Sequence, residues 1–77
     1  MIPHDALINA LRSLHFRFKR QADRVEIYKQ SGTTCRVEVR RHDWHDETAA
    51  RTILRQAGMP PADIGAFIAA AKRERYH

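Results

Sequence analysis

Two histidines, His42 and His45, stand three residues apart in the stretch His42-Asp43-Trp44-His45-Asp46, just past a run of arginines. Imidazole titrates near neutral pH, so one ring can take a proton and another can return it in the same reaction. Metal-free cleavage of RNA needs that pair: a base for the 2′-hydroxyl and an acid for the leaving oxygen. His42 is the first candidate, because it ends a predicted strand carrying Arg36 and Arg40. Their guanidiniums would stabilise the extra charge of a phosphorane-like transition state. His45 is its candidate partner if the connection between them turns helically. Glu26 is a further candidate base, whose carboxyl starts from a reference pKa of about 4.3 and needs burial to raise it.

The same cluster has a metal reading. His42-x-x-His45, with Asp43, Asp46 and Cys35, supplies ligand atoms. A structural zinc site pairs Cys and His at two separate places, however, and this chain has one cluster. The expectation is therefore no metal and no cofactor. Trp44 within the cluster either packs over the edge of the core, the commoner fate of a lone tryptophan, or serves as a stacking platform for a base or an anchor in a partner.

Positioning these groups falls to the stretch from Arg24 to His42. Val25 and Ile27 alternate with Arg24, Glu26 and Tyr28; after a Ser31-Gly32-Thr33 turn, Cys35, Val37 and Val39 alternate with Arg36, Glu38 and Arg40. A period of two buries one face of a sheet and leaves the other wet. The expected wet face carries Arg24, Tyr28, Arg36 and Arg40, with Arg17, Lys19 and Arg41 beside them, a surface composed to meet RNA phosphates. Tyr28 would either stack on a sugar or base or cover arginine stems.

The remaining elements follow from apolar spacing. Pro3 and Asp5 suit a helix start, and Leu7, Ile8, Leu11 and Leu14 follow helical spacing. Phe16 and Phe18 alternate with Arg17 and Lys19, a strand signal, and Gln21-Ala22-Asp23 makes a tight connection. Asp43 or Asp46 caps a second helix with Ala50, Ile53, Leu54 and Ala57 inside and Arg51 and Arg55 outside, stopped by Gly58. Pro60-Pro61 opens a short terminal helix with Ile64, Phe67, Ile68 and Ala71 as its stripe. The expected fold is α+β: α-β-β-β-α(-α), a three-stranded antiparallel sheet with helices packed on one face. Residues 1–77 read as one domain, with a core over about 5–70 and a frayed tail from 72 to 77.

Charge is unevenly spread. The whole chain carries +5, yet residues 12–41 alone hold nine Lys and Arg against three acids. A local positive field favours nucleic acid or an acidic partner surface. Cys35 is the single cysteine, on the apolar face of its strand, so it reads as a small hydrophobe and the compartment as reducing. No apolar run is long enough for a membrane span and no signal-peptide pattern is present, so the expected location is the cytoplasm.

Three segments resemble the HicA (YcfA-like) family of bacterial toxin–antitoxin systems, small mRNA interferases with a double-stranded-RNA-binding-domain-like fold. Leu7-Ile8 through Phe16 is similar to the family's opening helix and its turn into a strand. Val37-Glu38-Val39-Arg40-Arg41-His42 resembles a Val-x-Val-Pro-x-His strand end. Thr52-Ile53-Leu54-Arg55-Gln56-Ala57-Gly58 resembles a Ser-Ile-Leu-Lys-Gln-Ala-Gly helix ending. The resemblance implies RNA as ligand and a HicB-like antitoxin as protein partner. Where such toxins carry a catalytic histidine entering the second strand, this chain has Asp23-Arg24-Val25-Glu26, so that histidine is replaced by Val25 or Glu26. The implied function is an RNA-binding, degenerate or weakly active interferase. The alternatives are a basic module that docks an acidic antitoxin-like partner without RNA, and an active metal-independent endoribonuclease using His42.

Overall fold

The computed structural model describes residues 1–74. In chain order it contains β1 (Ile2–Pro3), α1 (His4–Ser13), β2 (Phe16–Ala22), β3 (Val25–Gln30), β4 (Arg36–Arg40), β5 (Trp44–His45), α2 (Glu47–Gln56) and α3 (Pro61–Glu74). β2, β3 and β4 form an antiparallel sheet in that order. This is the expected α+β architecture. β1, just before α1, and β5, within the connection from His42 to Asp46, pair as a two-stranded antiparallel ribbon. Among the described residues, no helix is long and apolar enough to cross a membrane.

The helices form for local reasons and stay for packing. α1 buries Leu7, Ile8, Ala10 and Leu11, a one-sided stripe at helical spacing. Of the two possible caps for α2, Asp46 is the one used: its Oδ1 accepts the Ala49 N–H at 2.7 Å. Gly58, at φ +92°, ends that helix in the left-handed region, and Met59 N–H returns to the Leu54 carbonyl. α3 is not short. Its 14 residues make it the longest helix, and residues 72–74 of the expected frayed tail lie within it; residues 75–77 lie outside the described residues. One core cluster joins Leu7, Leu11, Leu54, Ile64 and Ile68 from the helices to Phe16, Tyr28, Val37 and Val39 from the sheet.

The strand phase differs from the expected one in β3. Gln30 N–H bonds to the Cys35 carbonyl, so a four-residue loop, Ser31 to Thr34, joins β3 to β4. Partners across this pair are Tyr28–Val37 and Glu26–Val39 on one face, Ile27–Glu38 and Val25–Arg40 on the other. Val37 and Val39 face the helices as expected, and Tyr28 and Glu26 join them there. Val25 and Ile27 therefore point to the uncovered face. An offset of one residue moves every side chain of a strand to the opposite side.

Candidate functional site

The uncovered face is built from rows that cross all three strands. Arg17 of β2 stands opposite Lys29 of β3, which stands opposite Arg36 of β4: three cations side by side. Lys29 and Arg36 form the closer, non-hydrogen-bonded type of antiparallel pair, since the bonded pair is Gln30–Cys35 next to it. The second row is Arg20, Ile27 and Glu38; the third is Ala22, Val25 and Arg40. Ile27 is only 5% exposed although no helix covers it, which the long stems of Arg20 and Glu38 in its own row explain. The face thus presents Arg17, Arg20, Lys29, Arg36 and Arg40 against the single carboxylate of Glu38. Among the described residues, no ion pair engages any of those five cations.

A bulge makes part of this surface. The pairing register shifts between Phe18 and Arg20, with Lys19 as the extra residue. Strict alternation would send Arg20 towards the helices; the inserted residue returns it to the open side. Lys19 lines a depression of about 690 Å³ together with Arg17, Lys29 and the Ser31–Thr34 turn. At the other end of the sheet, Arg24, Arg40, Arg41 and His42 line a second depression of about 480 Å³. Arg24 belongs to the turn before β3 and not to the strand face.

Beyond the edge of β4 lies a groove of about 880 Å³ between that strand and α2. Glu38 and Arg40 form its sheet side, Ile53 and Gln56 its helix side, and Met1, His42, Trp44 and His45 its end. Trp44 is 45% exposed, so the core position expected for a lone tryptophan is corrected. The β1–β5 ribbon holds it: Trp44 pairs with Pro3 and His45 with Ile2, and alternation leaves the indole outside while His45 is buried.

Behind the groove, His45 joins a chain of polar groups. His45 Nε2 and His4 Nδ1 are 2.9 Å apart, and His4 Nε2 lies 3.2 Å from Glu26 Oε1. Tyr28 O–H donates to the same oxygen at 2.9 Å, and Arg41 Nε approaches the other carboxylate oxygen at 3.8 Å. A carboxylate only accepts, so His4 presents an N–H at Nε2 and the remaining proton lies between the two rings. Burial, then the neighbouring His4 and His42, push the His45 pKa below its ordinary 6.5. At pH 7 His45 therefore favours its neutral form more than a free imidazole does. Burial and the Glu26 carboxylate push the Tyr28 hydroxyl up to about 12. The His42 ring meets the His45 ring edge-on at 6.2 Å between centroids.

The predicted residues separate into groups. Arg17, Arg36 and Arg40 share the open face, with Lys19, Arg24 and Arg41 at its margins. Tyr28 is corrected: it is 5% exposed, packs in the core, and cannot meet RNA from there. Phe18, on the same side but at the edge strand, is 53% exposed and meets Tyr28 edge-on at 5.7 Å. His42 and His45 share the groove, while Glu26 sits behind His4 and accepts hydrogen bonds. Arg20, Lys29 and His4 escape the sequence reading. The first two depend on the bulge and the loop length, and His4 meets His45 across 41 residues with no motif to announce it. No three His, Cys, Asp or Glu side chains among the described residues converge as a metal site. Compared with known proteins, the chain matches no family model, no curated protein and no solved structure.

Proposed function

We propose that this protein binds RNA through the uncovered face of its sheet, reading phosphates more than bases. The observation that carries this is the row Arg17–Lys29–Arg36. Like charges directly opposite one another in a sheet destabilise it. A fold that keeps three of them together, with no carboxylate bound to any, carries a cost that a polyanion removes. Arg20 and Arg40 extend the same field along the face, and Arg24 and Arg41 continue it around the end of the sheet. Phosphate neutralisation by such groups releases counterions and makes binding strongly salt-dependent. The likeness of three segments to HicA toxins points the same way, and a HicB-like acidic antitoxin would be the protein partner that covers this face.

The test is a salt titration of RNA binding with the Arg20→Gln, Arg36→Gln, Arg40→Gln triple variant. The expected result is weaker binding and a salt slope lower by about 2 to 3, near one unit per lost phosphate contact. Unchanged affinity and slope would overturn the proposal.

A second reading, metal-independent RNA cleavage, is favoured by the His42–His45 pair. The shift of His45 favours the neutral form, which accepts a proton, and its ring is held by His4, itself bonded to Glu26. His42 stands at the distance of a partner acid, with Arg40 on the same groove wall. On this reading, purified protein cleaves RNA in the presence of a chelator, and His42→Ala removes at least about a hundredfold of that rate with the fold intact. A chelated preparation that leaves RNA whole would leave binding as the function.

A further inference from the structure

We propose that the groove between β4 and α2 is a subsite for one unpaired nucleobase, stacked on Trp44, so that the RNA bound by this protein is single-stranded where it crosses the edge of β4. The inference rests on the RNA-binding reading and names the form of RNA that reading takes.

Charge is divided unequally between two adjoining surfaces. The open face of the sheet holds five cations and Glu38. The groove holds Arg40 and the Met1 amino group against the three carboxylates of Glu38, Asp43 and Asp46, with the imidazoles of His42 and His45 beside them. A phosphate is drawn to the first surface far more than to the second, where carboxylates outnumber the fixed cations by one. A base, which is uncharged, has no such penalty. Its flat ring finds an indole that is 45% exposed, with Met1, Ala49 and Ile53 as apolar neighbours. Stacking on an aromatic ring suits any base, because each has a π face. The carboxylates of Glu38 and Asp43 give acceptors for N–H groups on a base edge; that of Asp46 is already used by Ala49 N–H.

Continuity supplies the rest. Glu38 and Arg40 belong both to the open face and to the groove wall, so a backbone lying on Arg36 and Arg40 passes the groove mouth. The volume of about 880 Å³ admits a nucleoside. A base paired within a duplex keeps its ring stacked on its neighbours and cannot enter. Recognition of RNA in single strands, loops and ends works by this splaying-out of bases.

Trp44 is the sole tryptophan, so its fluorescence reports on this groove alone. The experiment adds a mixed-sequence single-stranded oligoribonucleotide, and separately the same strand in duplex form, to the full chain, reading Trp44 emission and the anisotropy of end-labelled RNA. The single strand is expected to quench Trp44 and to bind more tightly than the duplex. Trp44→Leu should weaken single-strand binding by about 5- to 100-fold and leave duplex binding as it was, whereas Trp44→Phe, which still stacks, should retain most of the affinity. Circular dichroism checks that both variants fold. Salt-sensitive binding with no quenching, or equal loss for both RNA forms in Trp44→Leu, overturns the subsite and leaves the phosphate face standing. No binding of either form overturns both.

Discussion

His45 shows how much a single side chain can depend on its surroundings. In water its imidazole would be about a quarter protonated at pH 7. Here it is buried, bonded to His4 and faced edge-on by His42, so a proton arriving on it loses hydration and meets two further imidazoles. Asp46 and Glu26 pull the other way, but burial and the two rings prevail, and the pKa falls. Arg41 adds positive charge behind Glu26, and Tyr28 stays neutral there. The sign of the consequence is fixed by linkage. The unfolded chain binds a proton at about 6.5 while the folded one still refuses it, so the contribution is complete above that pH and is lost as pH falls below it. Thermal unfolding should therefore show stability falling from pH 7 towards pH 5. His45→Gln, which cannot take a proton, should start lower and be flatter over that window. Parallel curves for the two proteins would show that His45 carries no such linkage.

The elements explain why some of this can be read from residues and some cannot. The stripe Leu7, Ile8, Leu11 and the stripe Ala50, Leu54, Ala57 are legible, because a helix face repeats and each stripe meets only one surface. β4 is legible for the same reason: Val37 and Val39 meet the core and Arg36 and Arg40 meet water. β3 lies between two strands, and both of its faces are sheltered. Ile27 is buried on the outer side and Tyr28 on the inner, each only 5% exposed, so alternation of residue type carries no phase. The loop decides it. With Val37 and Val39 inward, Val25 and Ile27 would also point inward only if an odd number of residues separated the hydrogen-bonded ends of the hairpin. Four residues lie between Gln30 and Cys35, and so Glu26 and Tyr28 turn inward instead. That inversion brings Glu26 to His4, and it brings Lys29 between Arg17 and Arg36. The bulge at Lys19 is equally silent in sequence, yet it moves Arg20 onto the face. The candidate surface was thus legible as a basic sheet face, while its membership depended on two small backbone events.

At the scale of the whole molecule, the two sides of one sheet have opposite tasks. The inner side joins the core cluster that holds a 77-residue chain together, close to the size at which a single core suffices. The outer side concentrates charge that works against folding. These demands meet at Lys29, whose neighbours in the row are both cations. Replacing it by glutamine removes two like-charge contacts and buries nothing new, so the free protein should become more stable by about 0.2 to 1 kcal/mol. The same change removes one phosphate contact and should weaken RNA binding, lowering the salt slope by about one unit. A residue kept for structure would move stability down when replaced; a cation in this row with no polyanion partner would move stability up and leave affinity as it was. Only a residue held against its own fold for the sake of a polyanion moves stability up and affinity down together. Denaturant unfolding of wild-type and Lys29→Gln protein, beside RNA titrations at two salt concentrations, reads both signs, and a variant that gains stability without losing affinity would detach the charge row from RNA.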